Sequence, residues 1–146
     1  MRGFTLIELM IVVTIVAILA GAAMFAYRSY VLKAARTDAK NGLYIAAQSM
    51  ERCYSQYFSY LGNPSGTPAV SCPVPSTAFA SPNGTYSILE SNLTATTYTL
   101  TATPVSGGQA SGDTKCHSFS LDQSGAQTAL TETRVDNSNY CWLGHN

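Results

Sequence analysis

From Leu9 to Ala26 the chain carries no charge, and only Thr14 and Gly21 interrupt the apolar run. About eighteen residues is the lower end of what spans a hydrocarbon core. The pattern then changes without a break. Tyr27, Tyr30/Val31, Ala34, Ala39, Leu43, Ala46, Met50, Cys53/Tyr54 and Tyr57 recur at steps of three and four, which is one apolar stripe on a helix. Arg28, Lys33, Arg36, Asp38, Lys40, Glu51 and Arg52 fill the other faces. No proline stands before Pro64, so nothing in the covalent chemistry forces a stop. The pattern predicts one helix from Phe4 to Tyr57, a rod of roughly 80 Å at ~1.5 Å per residue. A small globular domain has no use for such a rod; an assembly does.

After Tyr60 the composition turns to Gly, Pro, Ser and Thr. Gly62-Asn63-Pro64-Ser65-Gly66, followed by Pro68, Pro73, Pro75 and Pro82, reads as a helix stop and a long irregular loop. Beyond it the period becomes two. Tyr86–Leu89 is a short strand. Thr97–Thr103 is the clearest one, with Tyr98, Leu100 and Ala102 alternating with threonines. Ser118–Leu121 and Gln127–Leu130 form a hairpin around Asp122-Gln123-Ser124-Gly125. The expected fold is α+β: one long helix, membrane-spanning and then amphipathic, packed on a four-stranded antiparallel sheet. The apolar set of the sheet should face the helix stripe.

Two residues at the start disturb the apolar run. Glu8 sits inside it, and a lone carboxylate in hydrocarbon costs several kcal/mol unless neutralised or paired. Gly3 leaves only Met1 and Arg2 ahead of it. An ordinary secretory signal with a cut near Ala20-Gly21-Ala22 is the competing reading. Against it stand the minimal basic region, Glu8 within the apolar core, and helical pattern running straight past the cut. A plain single-span anchor leaves Glu8 unexplained. Arg28, Lys33, Arg36 and Lys40 outnumber Arg2, which by the positive-inside rule favours the opposite orientation. The downstream cysteines, which need an oxidising compartment, overrule that.

The 146 residues suffice for an anchor and one small domain, and the formal net charge is zero. Charge is uneven: Arg28 to Arg52 is basic. From Cys53 onward Lys115 and Arg134 face Glu90, Asp113, Asp122, Glu132 and Asp136, so the head reads as mildly acidic and weak for DNA phosphates. Cys53, Cys72, Cys116 and Cys141 show no C-x-x-C spacing for zinc or redox chemistry. An even number in an exported domain reads as two disulfides. Four cysteines allow three pairings, and the nearest-neighbour choice is Cys53–Cys72 with Cys116–Cys141. No metal or cofactor site is expected. His117 beside Cys116 would need a free thiolate. No G-x-S-x-G frames a serine, and Gly107-Gly108 lacks the strand–helix context of a phosphate cradle. The chain does not read as an enzyme.

The stretch GFTLIELMIVVTIVAILAGAA resembles the class III signal of type IV pilins. YTLTATP, DTKCHSFSLDQSGAQT and the closing Cys-Trp resemble the PilE-type minor pilin branch of type IVa, to which DNA-receptor pilins of natural competence also belong. Phe25 stands where many pilins have proline, and His117 where this branch often has glycine. The resemblance implies a leader at 1–3, cleavage by a prepilin peptidase between Gly3 and Phe4, and N-methylation of Phe4. Glu8 would pair with a neighbouring subunit's amine. It implies a filament-core helix half at 4–27 and a globular head at 28–146. The protein would wait in the inner membrane with its head in the periplasm. Assembly machinery in that membrane would then draw it into an extracellular pilus with other pilin subunits. Twitching, adhesion and DNA uptake are the implied roles. The alternatives are a DNA-receptor minor pilin and a pseudopilin of type II secretion.

Overall fold

The computed structural model describes residues 5–63, 65–66, 71–72 and 79–144. Helix α1 runs Leu6–Tyr57 without interruption, roughly 78 Å at ~1.5 Å per residue. Five strands follow: β1 Phe79–Ala80, β2 Tyr86–Ser91, β3 Thr99–Pro104, β4 Ser118–Asp122 and β5 Gln127–Leu130. A 3-10 turn, Gln109–Gly112, lies between β3 and β4, and a short helix α2, Ser138–Leu143, follows β5. The strands form one antiparallel meander in chain order. Four strands were expected. The fifth, β1, pairs Phe79 with Ile88 and Ala80 with Ser87, and two residues are too short to show a period. Helix α2 was also not anticipated.

The helix is two objects in one. Its 18-residue apolar window stands wholly outside the head, and it is long and apolar enough to cross a membrane. Its second half supplies the core. Ala35, Ala39, Leu43, Ala46 and Met50 are buried in one cluster with Tyr86, Ile88, Leu100, Ala102 and Phe119, and Cys53 is buried beyond them. The alternation read in β3 holds: Tyr98, Leu100 and Ala102 face inward, while Thr99 and Thr101 are half-buried. The stripe begins later than its pattern suggested. Tyr27 and Tyr30 are 66% and 71% exposed and Ala34 is exposed, because the sheet reaches only as far as Ala35. Asp38, expected on a solvated face, is buried.

The helix stops at Tyr57, before Gly62. Phe58 takes a left-handed conformation (φ 52°), and its N–H bonds Tyr54 O at 2.7 Å. A left-handed C-cap ends a helix whatever follows it. The β4–β5 turn is tied by Asp122, whose Oδ1 accepts from Ser124 N and Ala126 N, both at 2.9 Å. Gly125 supplies the positive φ (79°) that closes it.

Candidate functional site

At its start, α1 carries a reciprocal cap. Glu8 N donates to Thr5 Oγ1 at 3.4 Å, and Thr5 N donates back to Glu8 Oε2 at 3.5 Å. This is the Ser/Thr-x-x-Glu capping box. The Thr-x-x-Glu spacing of Thr5 and Glu8 stands in the sequence at the edge of the apolar run. Both bonds sit at the long limit of hydrogen-bond geometry, so they hold the carboxylate lightly. Gly3 and Phe4 lie outside the described residues.

The cysteines are bonded as Cys53–Cys72 and Cys116–Cys141. The first joins the end of α1 to the chain beyond it. The second joins the loop entering β4 to α2. Cys116 is therefore no thiolate, although His117 lies beside it with a buried Nδ1 that has no partner among the described residues.

The fold also assembles a seam that the linear sequence scattered. Helix α1 aligns Lys33, Arg36 and Lys40 on one face at steps of three and four. Helix α2 lies against that face and offers Tyr140 and Trp142. Arg36 stands over the Tyr140 ring at 5.4 Å, and Lys115 over the same ring at 5.5 Å. Lys40 stands over Trp142 at 5.6 Å and donates to Trp142 O at 3.1 Å. A cleft of about 230 Å³ opens between the helices, lined by Lys33, Arg36, Thr37, Lys40, Tyr140 and Gly144.

One carboxylate enters the seam. Asp113, buried, takes Arg36 Nε at 2.6 Å and Nη2 at 3.0 Å, a two-pronged ion pair, and also accepts the N–H groups of Lys115 and Cys116. It is the sole ion pair among the described residues, so Lys33, Lys40 and Lys115 have no carboxylate within salt-bridge distance there. Burial first, then the charge of Arg36, pushes the Lys40 ammonium below its ordinary value. Hydrogen bonding from Arg36, and the fields of Arg36 and Lys115, hold the Tyr140 phenol below its own. The Tyr140 shift reports a locally positive field, and at Lys40 Arg36 adds to the larger effect of burial. Sequence reading missed the seam because Lys33 and Tyr140 lie more than a hundred residues apart. It had divided the charges into a basic helix and an acidic head.

Comparison with known proteins divides the chain within α1, between residues 24 and 26. The family model described as type IV minor pilin ComP, DNA uptake sequence receptor, matches residues 26–120. The prokaryotic N-terminal methylation motif matches residues 1–24. The chain is 60% identical over 37 residues to prepilin peptidase-dependent protein D of Escherichia coli (strain K12), a quarter (25%) of each chain. It is 43% identical over 61 residues to fimbrial protein EcpC of Eikenella corrodens, 42% of this chain and 37% of that one. The chain thus spans between 25% and 37% of the length of these curated relatives. It also superposes on the crystal structure of the non-core minor pilin PilV of Neisseria meningitidis with a TM-score of 0.52 and 20% identity, covering 73% of this chain and 94% of that one. At that identity the likeness is one of fold.

Proposed function

Since the chain belongs to the type IV minor pilin family whose model is described as the ComP DNA uptake sequence receptor, we propose that it works as a non-enzymatic subunit of a type IV pilus. In this reading a prepilin peptidase cuts between Gly3 and Phe4, and Phe4 is methylated. The helix half at 4–27 holds the protein in the inner membrane with the head in the periplasm. It then enters the filament, where apolar helices of other pilin subunits replace lipid. The observation that carries the reading is the wholly exposed apolar window of α1, continuous with a helix half buried in the head. A pseudopilin of type II secretion would share that helix; the head's match to a pilus family favours the pilus.

Magnitudes support a pairing role for Glu8. Its local cap with Thr5 is worth about 0.5–2 kcal/mol at most. A Phe4 ammonium left unpaired in an apolar core costs about 3–5 kcal/mol. The carboxylate should therefore leave Thr5 for a neighbour's amine once the filament forms. The test is Glu8→Leu, followed by fractionation of sheared pili and membranes with cleavage checked in each. Processed protein should accumulate normally in the membrane and enter pili at a sharply reduced level. Wild-type entry would remove the pairing role.

The family description supports a second reading, in which the head receives DNA for uptake. A gel shift of the full-length chain in detergent with duplex DNA at low salt tests it. Binding that weakens with added salt is the expected result, and its absence removes this reading.

A further inference from the structure

Resting on the DNA-receptor reading, we propose that the seam between α1 and α2 is the place where the head holds the phosphodiester backbone, with Lys33, Lys40 and Lys115 as the phosphate-contacting cations. Four of the chain's eight lysines and arginines, counting Arg36, converge here. Arg36 is committed to Asp113 at 2.6 and 3.0 Å. Its work is to anchor the seam. Lys33 and Lys40 line the open cleft, and Lys115 stands beside it over the Tyr140 ring.

Lys40 carries the argument furthest. It is half-buried, its ammonium meets only one carbonyl oxygen and two aromatic faces, and no carboxylate pairs with it among the described residues. Ring faces and a carbonyl meet a cation only in part. Burial without a counter-charge is costly unless an anion arrives. The other acidic groups near the seam are Glu132, whose N–H bonds Thr114 O, and Asp136, which accepts from Ser138. Both are exposed, and neither lies within salt-bridge distance of a seam cation.

The aromatic rings fix the spacing. Tyr140 gathers Arg36 and Lys115, from chain segments far apart, over one ring face or edge within 5.5 Å. Trp142 fixes Lys40, and is itself held by its Nε1 donating to Thr128 O at 2.8 Å. The Cys116–Cys141 bond staples the segment bearing Lys115 to the helix bearing Tyr140 and Trp142. A row of ammonium groups on a helix and a loop, set by rigid neighbours, suits a chain of phosphates. Such contacts position the duplex and carry no sequence information.

The experiment uses the full-length chain in detergent. Duplex DNA affinity is measured against salt for wild type, Lys33→Gln, Lys115→Gln, the Lys33→Gln/Lys40→Gln/Lys115→Gln triple, and an Arg52→Gln/Arg134→Gln control. Circular dichroism confirms that each folds. Each seam lysine removed should lower the slope of log K against log salt by about one. The loss should be equal for unrelated duplex sequences, and the control should bind as wild type. If wild type binds DNA and the triple variant binds equally well, the seam assignment is overturned while the receptor reading stands. If wild type fails on DNA but binds inorganic polyphosphate with the same dependence on the three lysines, the receptor reading falls and the seam remains a phosphate site. Failure on both probes overturns both.

Discussion

Asp38 shows how one residue can be read correctly by composition and wrongly by place. A charged residue on a helix is ordinarily solvated, but this one is buried against the β1–β2 turn. Its Oδ1 accepts from Asn83 N at 2.9 Å and Asn83 Nδ2 at 3.0 Å. Its Oδ2 accepts from Thr85 Oγ1 at 2.6 Å and from Ser81 Oγ. Burial pushes this carboxyl upward, but the hydroxyls of Ser81 and Thr85 and the N–H groups of Asn83 and Thr85 outweigh it. The group is held below its ordinary value. Asp38→Ala would leave several buried donors unmet and should cost about 3 kcal/mol. The sign of the pH dependence follows from the lowered value: the unfolded chain takes up the proton first. Asp38's stabilisation is thus complete above the ordinary carboxylate range, and fades as pH falls through the folded value. Denaturation of the full chain, followed by Trp142 fluorescence, should show the gap between wild type and Asp38→Ala narrowing below about pH 4. A gap that stays constant into acid would mean that the ionised form is not what the turn recognises.

At the scale of elements, α1 lies very close to the sheet at Gly42. A Cβ built there would collide with Ile88 Cδ1 and meet Ser81 Cα at 3.3 Å. Gly42→Ala gains about 1 kcal/mol in helix propensity but overpacks the interface by roughly 1–3 kcal/mol. A net loss is expected. The methyl of Ile88 is the worse contact and the easier to remove. Ile88→Val alone should cost about 1 kcal/mol, yet in the Gly42→Ala background it should recover stability. A double-mutant cycle with no coupling would show that the helix simply rides outward. The same closeness explains what could be read in the sequence. The strands at Tyr86, Thr99, Ser118 and Gln127 were legible because alternation persists over four residues or more. So was the helix, whose apolar run passes straight into a stripe from Tyr27 to Tyr57. The phase of its buried face was harder. Small residues at Ala35, Ala39 and Gly42 let the sheet approach, whereas a reading weighted towards large apolar groups took in Tyr27 and Tyr30. Strand β1 has two residues and α2 six, too few for any period. Gly144, left-handed at φ 70°, caps α2 but does not by itself announce a helix before it. The seam had no linear signature, since contact between Lys33–Lys40 and Tyr140–Trp142 exists only once the chain has folded.

The whole molecule depends on two covalent closures of similar length and different consequence. Cys53–Cys72 spans 19 residues and Cys116–Cys141 spans 25. Chain entropy assigns each about 3 kcal/mol, nearly the same for loops so alike. What they hold differs. Cys53 ends the buried helix stripe, and its bond fixes the chain leaving Tyr60, far along α1 from Lys33 and Lys40. Cys116 and Cys141 are both buried, and their bond fixes α2 beside Lys115. Without it α2 retains Trp142 Nε1 donating to Thr128 O and Ser138 Oγ accepting from Ala129 N, at 2.8 Å each, so it should loosen rather than detach. The paired variants Cys53→Ser/Cys72→Ser and Cys116→Ser/Cys141→Ser should therefore lose similar unfolding free energy in the full-length chain. On the proposed receptor reading, only the second should lose DNA affinity measurably at a temperature where both remain folded, with a shallower salt slope as the cations drift apart. That split separates a closure that merely stabilises from one that also shapes a surface. Equal losses of affinity in the two variants would place the phosphate contacts elsewhere on the head, or make them a property of its overall stability.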